Sequence, residues 1–162
     1  MQAETSSATA GPLAGVRVLD LSAVVLGPLA TQILGDYGAD VIKVEPPEGE
    51  RMRANGVTRR PRGLSSIFLA INRNKRSLCI DLKTPDGVAA IKRLLPTVDV
   101  LVHNMRLAAV QRLGLGYEAA AALNPRLVYC RLGFRPGWPR RGQARVRRRD
   151  PGGLRAGSAA RP

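Results

Sequence analysis

The segment Ile71–Lys83, "INRNKRSLCIDLK", gathers Arg73, Lys75 and Arg76 beside two asparagines, immediately before an apolar run. Guanidinium and ammonium groups hold phosphate oxygens through charge-assisted hydrogen bonds, so this cluster is a candidate phosphate clamp. A solvated loop is the plainer reading of the same residues, and both stay open at this point. A second polar and cationic group, Asn104, Arg106 and Arg112 in "HNMRLAAVQRLGLG", follows a later apolar run. Two such groups at neighbouring strand ends suit an elongated phosphorylated ligand better than a lone phosphate.

Other chemistries find less support. His103 is the single histidine and lies inside an apolar run. No Ser or Cys stands near it in an activating motif, so a structural role is expected. One histidine and two separated cysteines do not make a metal site. Cys79 and Cys130 both sit in strand-like runs, where a small buried thiol is the simplest expectation and no disulfide framework arises. Glu45 stands about 20 residues beyond the first strand-to-helix turn, as a ribose-binding acid does in NAD proteins. That turn, "LSAVVLGPLA", lacks G-x-G-x-x-G, and Val24, Val25 and Leu26 fill the places where glycines would admit a pyrophosphate. The NAD reading fails.

These residues must be held by elements, and the pattern supplies them. Apolar and β-branched runs predict strands over Val16–Leu21, Ala39–Glu45, Ser77–Leu82, Val98–Asn104 and Arg126–Leu132. Between them, Gly27–Gly38 reads as a helix with Pro28 in its first turn and Gly38 as its stop. Ser65–Asn72 is a short helix with a serine cap. Thr84 caps a further helix with Pro85 at its start and Val88, Ile91, Leu95 and Val98 at helical spacing. Two short helical pieces, Ala108–Leu113 and Glu118–Leu123, precede the last strand. The loop Pro46–Leu64 is too long to be a mere connection and is expected to serve function. Alternating strands and helices predict an α/β fold, a Rossmann-like and mainly parallel sheet with helices on both faces. Ligands of such sheets bind beyond the carboxyl ends of the strands. Ser22–Gly27, Glu45–Pro47, Asp81–Lys83 and Asn104–Arg106 are therefore the expected site segments.

The net charge of +14 is unevenly spread over the 162 residues. Residues 135–162 hold nine of the 26 Lys and Arg but one of the 12 acids, a net of +8, which leaves the body at +6. The division expected is a disordered N-terminus over 1–11, a folded body over 12–134 and a disordered basic tail over 135–162. Such a tail has incidental affinity for polyanions. No apolar run has bilayer-spanning length, and the start has neither the basic nor the apolar part of a secretory signal. No membrane association is expected, and the cytoplasm is the expected location.

The stretches "PLAGVRVLDLS", "GPLATQILGDYGADVIKVEPPEGE", "NRNKRSLCIDLKTPDG", "DVLVHNMR" and "RLGLGYEAAAALNPRLVYCRLGF", in this order from Pro12 to Phe134, resemble the family III coenzyme A transferases, the CaiB/BaiF type that includes formyl-CoA transferase. The α-methylacyl-CoA racemases share part of the pattern, but "NRNKRS" looks more like the transferases. A non-enzymatic, nucleic-acid-binding basic protein is the remaining alternative. The resemblance implies a Rossmann-like large domain, an interlocked homodimer, and CoA and acyl-CoA as substrates with a carboxylate acceptor and no permanently bound cofactor. It places CoA contacts on Val25 and Leu26, on Ile80, Asp81, Leu82 and Lys83, and on Asn104, Met105, Arg106 and Arg112. It also implies that an aspartate carboxylate attacks the thioester, giving a mixed anhydride and then an enzyme-CoA thioester. That aspartate falls beyond the matching stretch, so no catalytic residue and no interlocked dimer are expected of this fragment, which is expected to be inactive alone. His103 stands where the family usually has Glu, and Leu107-Ala108 where it usually has Pro-Gly. After Phe134 the resemblance stops. A one-base shift, with suitable codons, turns the stretch from Gly142 onward into a sequence similar to the family's next segment, so the tail is expected to be out of frame and the sheet incomplete.

Overall fold

The computed structural model describes residues 11–55 and 64–133. The expected N-terminal and basic tails, apart from Gly11, lie outside the described residues. Five strands form one sheet: β1 (Arg17–Leu21), β2 (Asp40–Glu45), β3 (Lys75–Cys79), β4 (Val100–His103) and β5 (Val128–Arg131). All four pairings are parallel, and the order is β3-β2-β1-β4-β5. The helices are α1 (Leu26–Asp36), α2 (Ser66–Asn72), α3 (Pro85–Leu94), α4 (Leu107–Arg112) and α5 (Tyr117–Leu123). This is the expected α/β architecture, with the strand order reversing between β1 and β4. Among the described residues no helix is long and apolar enough to cross a membrane.

Local chemistry explains the boundaries. The Ser65 hydroxyl accepts from the Phe68 N–H at 3.1 Å and the Thr84 hydroxyl from the Gly87 N–H at 3.1 Å, so both expected caps satisfy donors that the helix leaves free. Gly38, at φ 98°, turns the chain from α1 into β2 where a side chain would be strained.

Side chains alternate across each strand, so one face carries Leu19, Leu21, Val44, Leu101 and Tyr129. They pack with Ile91, Leu95, Val110, Leu115 and Ala120 into the larger core. The opposite face carries Val18, Val41 and Val102, and with Ala39 and Leu34 it forms a smaller one. The smaller core stops where Asp20, Lys43 and Glu45 take the next positions on that face, each 4% exposed or less.

Those charges are paired. Lys75 Nζ meets Asp20 Oδ2 at 3.0 Å, with the two side chains 1% and 0% exposed. It also donates to the Pro28 carbonyl at 2.8 Å and to Asn72 Oδ1 at 2.9 Å. Asp20 further accepts from the Thr31 hydroxyl at 2.6 Å and from the Ser22 hydroxyl. Burial by itself pushes the Asp20 carboxyl up, but Lys75, Lys43 and the two hydroxyls outweigh it and hold the group below its ordinary value.

The third strand departs from expectation. The apolar content of "SLCIDL" points to Ser77–Leu82, whereas β3 begins at Lys75, pairs from Val41↔Lys75 to Glu45↔Cys79, and ends at Cys79. Its start is set by the ladder with β2 and by the buried ammonium of Lys75, neither of which an apolar run reveals. Cys79 is consequently exposed rather than buried, whereas Cys130 is half-buried and burial pushes its thiol up. The fourth and fifth strands are shorter than expected, at Val100–His103 and Val128–Arg131.

Replacing Lys75 by Met strands Asp20 as an uncompensated buried charge, and a loss of about 3–5 kcal/mol is expected in urea unfolding. Adding Asp20→Asn to Lys75→Met should recover part of that loss. A single-variant loss below about 1 kcal/mol would mean that the pair is solvated.

Candidate active-site cleft

The cleft is built on the turn between β1 and α1. Val24 lies at φ 72°, in the left-handed region that costs a β-branched residue about 1–2 kcal/mol. Three groups hold it there. The Val24 N–H donates to Glu50 Oε1 at 2.8 Å. Asn104 accepts from the Ala23 N–H at 3.0 Å and donates to the Ala23 carbonyl at 2.7 Å. Lys43 Nζ donates to the Ser22 carbonyl at 3.0 Å and meets Glu50 Oε2 at 2.6 Å. Gly27 completes the turn, because a Cβ there would strike the Ser22 side chain. The backbone is thus pinned from β2, from β4 and from the loop after β2. Its apolar side chains turn outward, Val24 50% and Leu26 76% exposed.

Beside this turn lies a cleft of about 380 Å³, past the carboxyl ends of β1, β2 and β3. Leu21, Val24, Val44, Pro46, Ile80 and Leu82 supply its apolar wall. Lys43, Glu45, Glu48, Glu50, Arg51, Asp81 and Lys83 supply its charges. Every one of those carboxylates has a partner. Glu45 receives Arg53 at 2.7 Å and the Glu50 N–H at 3.2 Å. Burial pushes Glu45 up, but the hydrogen bond from Arg53 leads the opposing effects and the net shift is downward. Glu48 receives Lys83 at 3.1 Å, and Asp81 receives the Lys83 N–H at 2.9 Å. A second groove, of about 390 Å³ between α3 and α4, shares Leu82 and Lys83 with the cleft and contains Lys92 and Arg112.

Of the expected contacts, Ile80, Asp81, Leu82 and Lys83 all line the cleft. Val25 caps α1 without lining it, and Leu26 is exposed one residue further on, while Val24 forms the wall. Asn104 ties the turn down, Met105 packs on the larger core, and Arg106 is exposed at the start of α4. Arg112 lies in the second groove.

The structure does not assemble the clamp of Arg73, Lys75 and Arg76. Lys75 and Arg76 stand level with Val41 and Ile42, at the amino end of β3 and away from the cleft. Each cation is taken by an acid: Arg73 by Asp36 at 2.6 Å, Lys75 by Asp20, and Arg76 by Asp40 at 3.1 Å. Their density in the sequence reflects acids on α1, β1 and β2 that the folded chain brings opposite them.

Sequence reasoning passed over Lys43, Glu50, Arg51 and Lys92. Lys43 carried a usable signal, a lysine inside the apolar run "VIKVE", where burial requires a partner. Among the described residues no group of His, Cys, Asp and Glu could hold a metal.

His103 is fully buried at the end of β4. Its Nε2 is 2.8 Å from the Tyr129 hydroxyl, which donates to the Leu115 carbonyl at 3.0 Å. The phenol's proton is therefore committed, so Nε2 carries the ring proton and Nδ1 is an acceptor without a partner among the described residues. Burial, helped by the Arg131 charge, lowers the imidazole to about 4, and burial raises Tyr129 to about 12. The ring is a neutral packing element.

Comparison with known proteins gives a consistent result. The profile described as CoA-transferase family III matches residues 13–151, reaching beyond Phe134. The succinate–glutarate CoA-transferase of Agrobacterium fabrum is 46% identical over 127 residues, 75% of this chain and 32% of that protein. The succinyl-CoA:glutarate CoA-transferase of Mus musculus is 43% identical over 125 residues, 75% of this chain and 28% of that protein. A crystal structure of a CaiB/BaiF family protein from Brucella suis superposes with a TM-score of 0.70 at 40% identity, over 75% of this chain and 33% of that one. The chain thus spans about a third of the length of the relatives it matches.

Two outcomes are expected at these positions. Unfolded His103 titrates near its ordinary value of 6.5, and folded His103 at about 4. Its contribution is intact above pH 6.5 and is lost as pH falls towards 4, by a total on the order of 3 kcal/mol. Urea midpoints measured across that range should fall for the parent chain and fall less for His103→Gln. Val24→Gly should be neutral or stabilising by up to about 1 kcal/mol, since relief of strain exceeds the glycine entropy cost. A clear destabilisation would show that the left-handed turn is unstrained.

Proposed function

Since this chain belongs to CoA-transferase family III, we propose that residues 12–134 form the CoA-binding portion of an enzyme that moves CoA from an acyl-CoA thioester to a carboxylic acid. The observation that carries the reading is the continuous concavity: the apolar cleft and the cationic groove meet at Leu82 and Lys83. CoA is a long ligand with an uncharged, amide-bearing thiol arm at one end and a phosphorylated nucleotide at the other. The two depressions match that division, the arm in the cleft by Val24 and Ile80 and the phosphates towards Lys83, Lys92 and Arg112. The exposed turn at Val24–Leu26 would hold the arm against the strand ends, and Asn104 would fix that turn.

Bond-making is assigned elsewhere. A nucleophilic carboxylate must be free to attack the thioester, yet Glu45, Glu48, Glu50 and Asp81 are each engaged by a cation or a backbone N–H. Asp20 is buried beneath the turn against Lys75. These residues bind and orient, and the chain by itself transfers no CoA.

Isothermal titration of the full chain should show CoA binding at micromolar concentrations, with no CoA appearing on added carboxylates in a thioester assay. Duplex DNA titrated at two salt concentrations provides the contrast. DNA binding that persists at high salt in the absence of CoA binding would replace this reading with a nucleic-acid-binding one.

A further inference from the structure

We propose that Glu50 is a specificity-determining residue: its carboxylate fills the place at the β1–α1 turn that an anionic group of a ligand would take, and so reserves the mouth of the cleft for an uncharged arm. The identity of that arm rests on the CoA reading above. The turn lies where the strand order reverses, between β1 and β4, and doubly wound sheets bind their ligands at such reversals. In dinucleotide-binding sheets of this kind, free backbone N–H groups at the turn receive a pyrophosphate. Here three successive N–H groups are already taken by side-chain oxygens. Ser22 donates to Asp20 Oδ1 at 2.9 Å, Ala23 to Asn104 Oδ1 at 3.0 Å and Val24 to Glu50 Oε1 at 2.8 Å.

Of the three acceptors, Glu50 is set apart by where it comes from and by its charge partner. Asp20 belongs to β1 itself and is paired with Lys75, and Asn104 is uncharged. Glu50 arrives from the loop after β2, and its second oxygen meets Lys43 Nζ at 2.6 Å, the two side chains being 4% and 2% exposed. A buried ammonium and a backbone N–H directed at one carboxylate are the donors that would otherwise hold a phosphate oxygen through charge-assisted bonds. Glu50 and Lys43 both line the cleft, so the place that the carboxylate fills adjoins the ligand's side. A phosphate could use those donors only by displacing a residue of the chain. It would also meet a lining in which four acids stand against three cations. An uncharged arm needs none of those donors and packs on Val24, which the same carboxylate holds in its left-handed conformation. One side chain thus shapes the wall and denies the turn to anions.

The test supplies the carboxylate from solution. Glu50→Ala removes it but leaves Lys43 and the Val24 N–H, so the vacated place should accept an added anion. In titration calorimetry on the full chain, pyrophosphate should bind the variant about tenfold or more tightly than the parent, the scale of a charge-assisted hydrogen bond. Acetate, which matches the deleted group, should raise the melting temperature of the variant above that in sodium chloride of equal ionic strength, and leave the parent unchanged. If the variant does not fold unaided, either anion should restore its far-ultraviolet circular dichroism by occupancy. A variant that stays unfolded at every anion concentration would overturn the role of Glu50. Acetate stabilisation without a gain in pyrophosphate affinity would reduce Glu50 to a structural ion pair, and a gain without acetate stabilisation would put the anion outside the vacated place; either result overturns the proposal. CoA titrated into the parent separates the two readings. CoA binding with no anion effect in Glu50→Ala removes the role of Glu50 alone, whereas both anion effects with no CoA binding remove the CoA reading and leave Glu50 as the residue that closes the turn to anions.

Discussion

The buried ion pairs beneath the β1–α1 turn are the constraint on which the rest of the structure depends. One face of the sheet begins as an ordinary apolar surface at Val18, Val41 and Val102 and becomes ionic one residue pair further along, at Asp20, Lys43 and Glu45. Removing such charges from water is costly, and each is tolerated because a partner arrives from another element. Lys75 comes from β3, Glu50 from the loop after β2, and Arg53 from the turn that follows it. The pairs therefore tie elements far apart in sequence into one geometry. Their value lies in specifying that geometry more than in net stability, since a well-packed apolar replacement can be equally stable.

That geometry extends to the cleft. Glu50, oriented by Lys43, receives the Val24 N–H, and Lys43 also holds the Ser22 carbonyl. With Asn104 on the other side, the turn adopts a backbone conformation that valine by itself avoids. The result is an apolar turn projecting over the strand ends where a dinucleotide fold would have glycines around a pyrophosphate. A wall of Val24, Ile80 and Leu82 suits an uncharged arm, and the cations lie beyond it in the adjoining groove. The polar network is structural, and the cleft wall it supports is largely apolar.

How much of this could be read beforehand depended on the range of the interaction concerned. Ser65 and Thr84 act as caps through hydrogen bonds three residues away, and both were legible. Pro28 and Gly38 were legible for the same reason, since turn chemistry is local. The clamp of Arg73, Lys75 and Arg76 was misread. A cluster of cations looks alike whether it faces a ligand or acids supplied by α1, β1 and β2. Lys92 was passed over because Gly114 and Arg112, which stand beside it in the folded chain, are 20 or more residues away in sequence.

Local chemistry written in the chain determined the class of fold: the alternation of elements, their caps and stops, and the absence of a glycine fingerprint at the first turn. Short-range propensity and apolar periodicity suffice for that, because they act within one element. Only the folded chain decided which cations are neutralised by acids. Charge compensation depends on distances across the sheet, such as the 3.0 Å between Lys75 and Asp20, which are 55 residues apart in sequence.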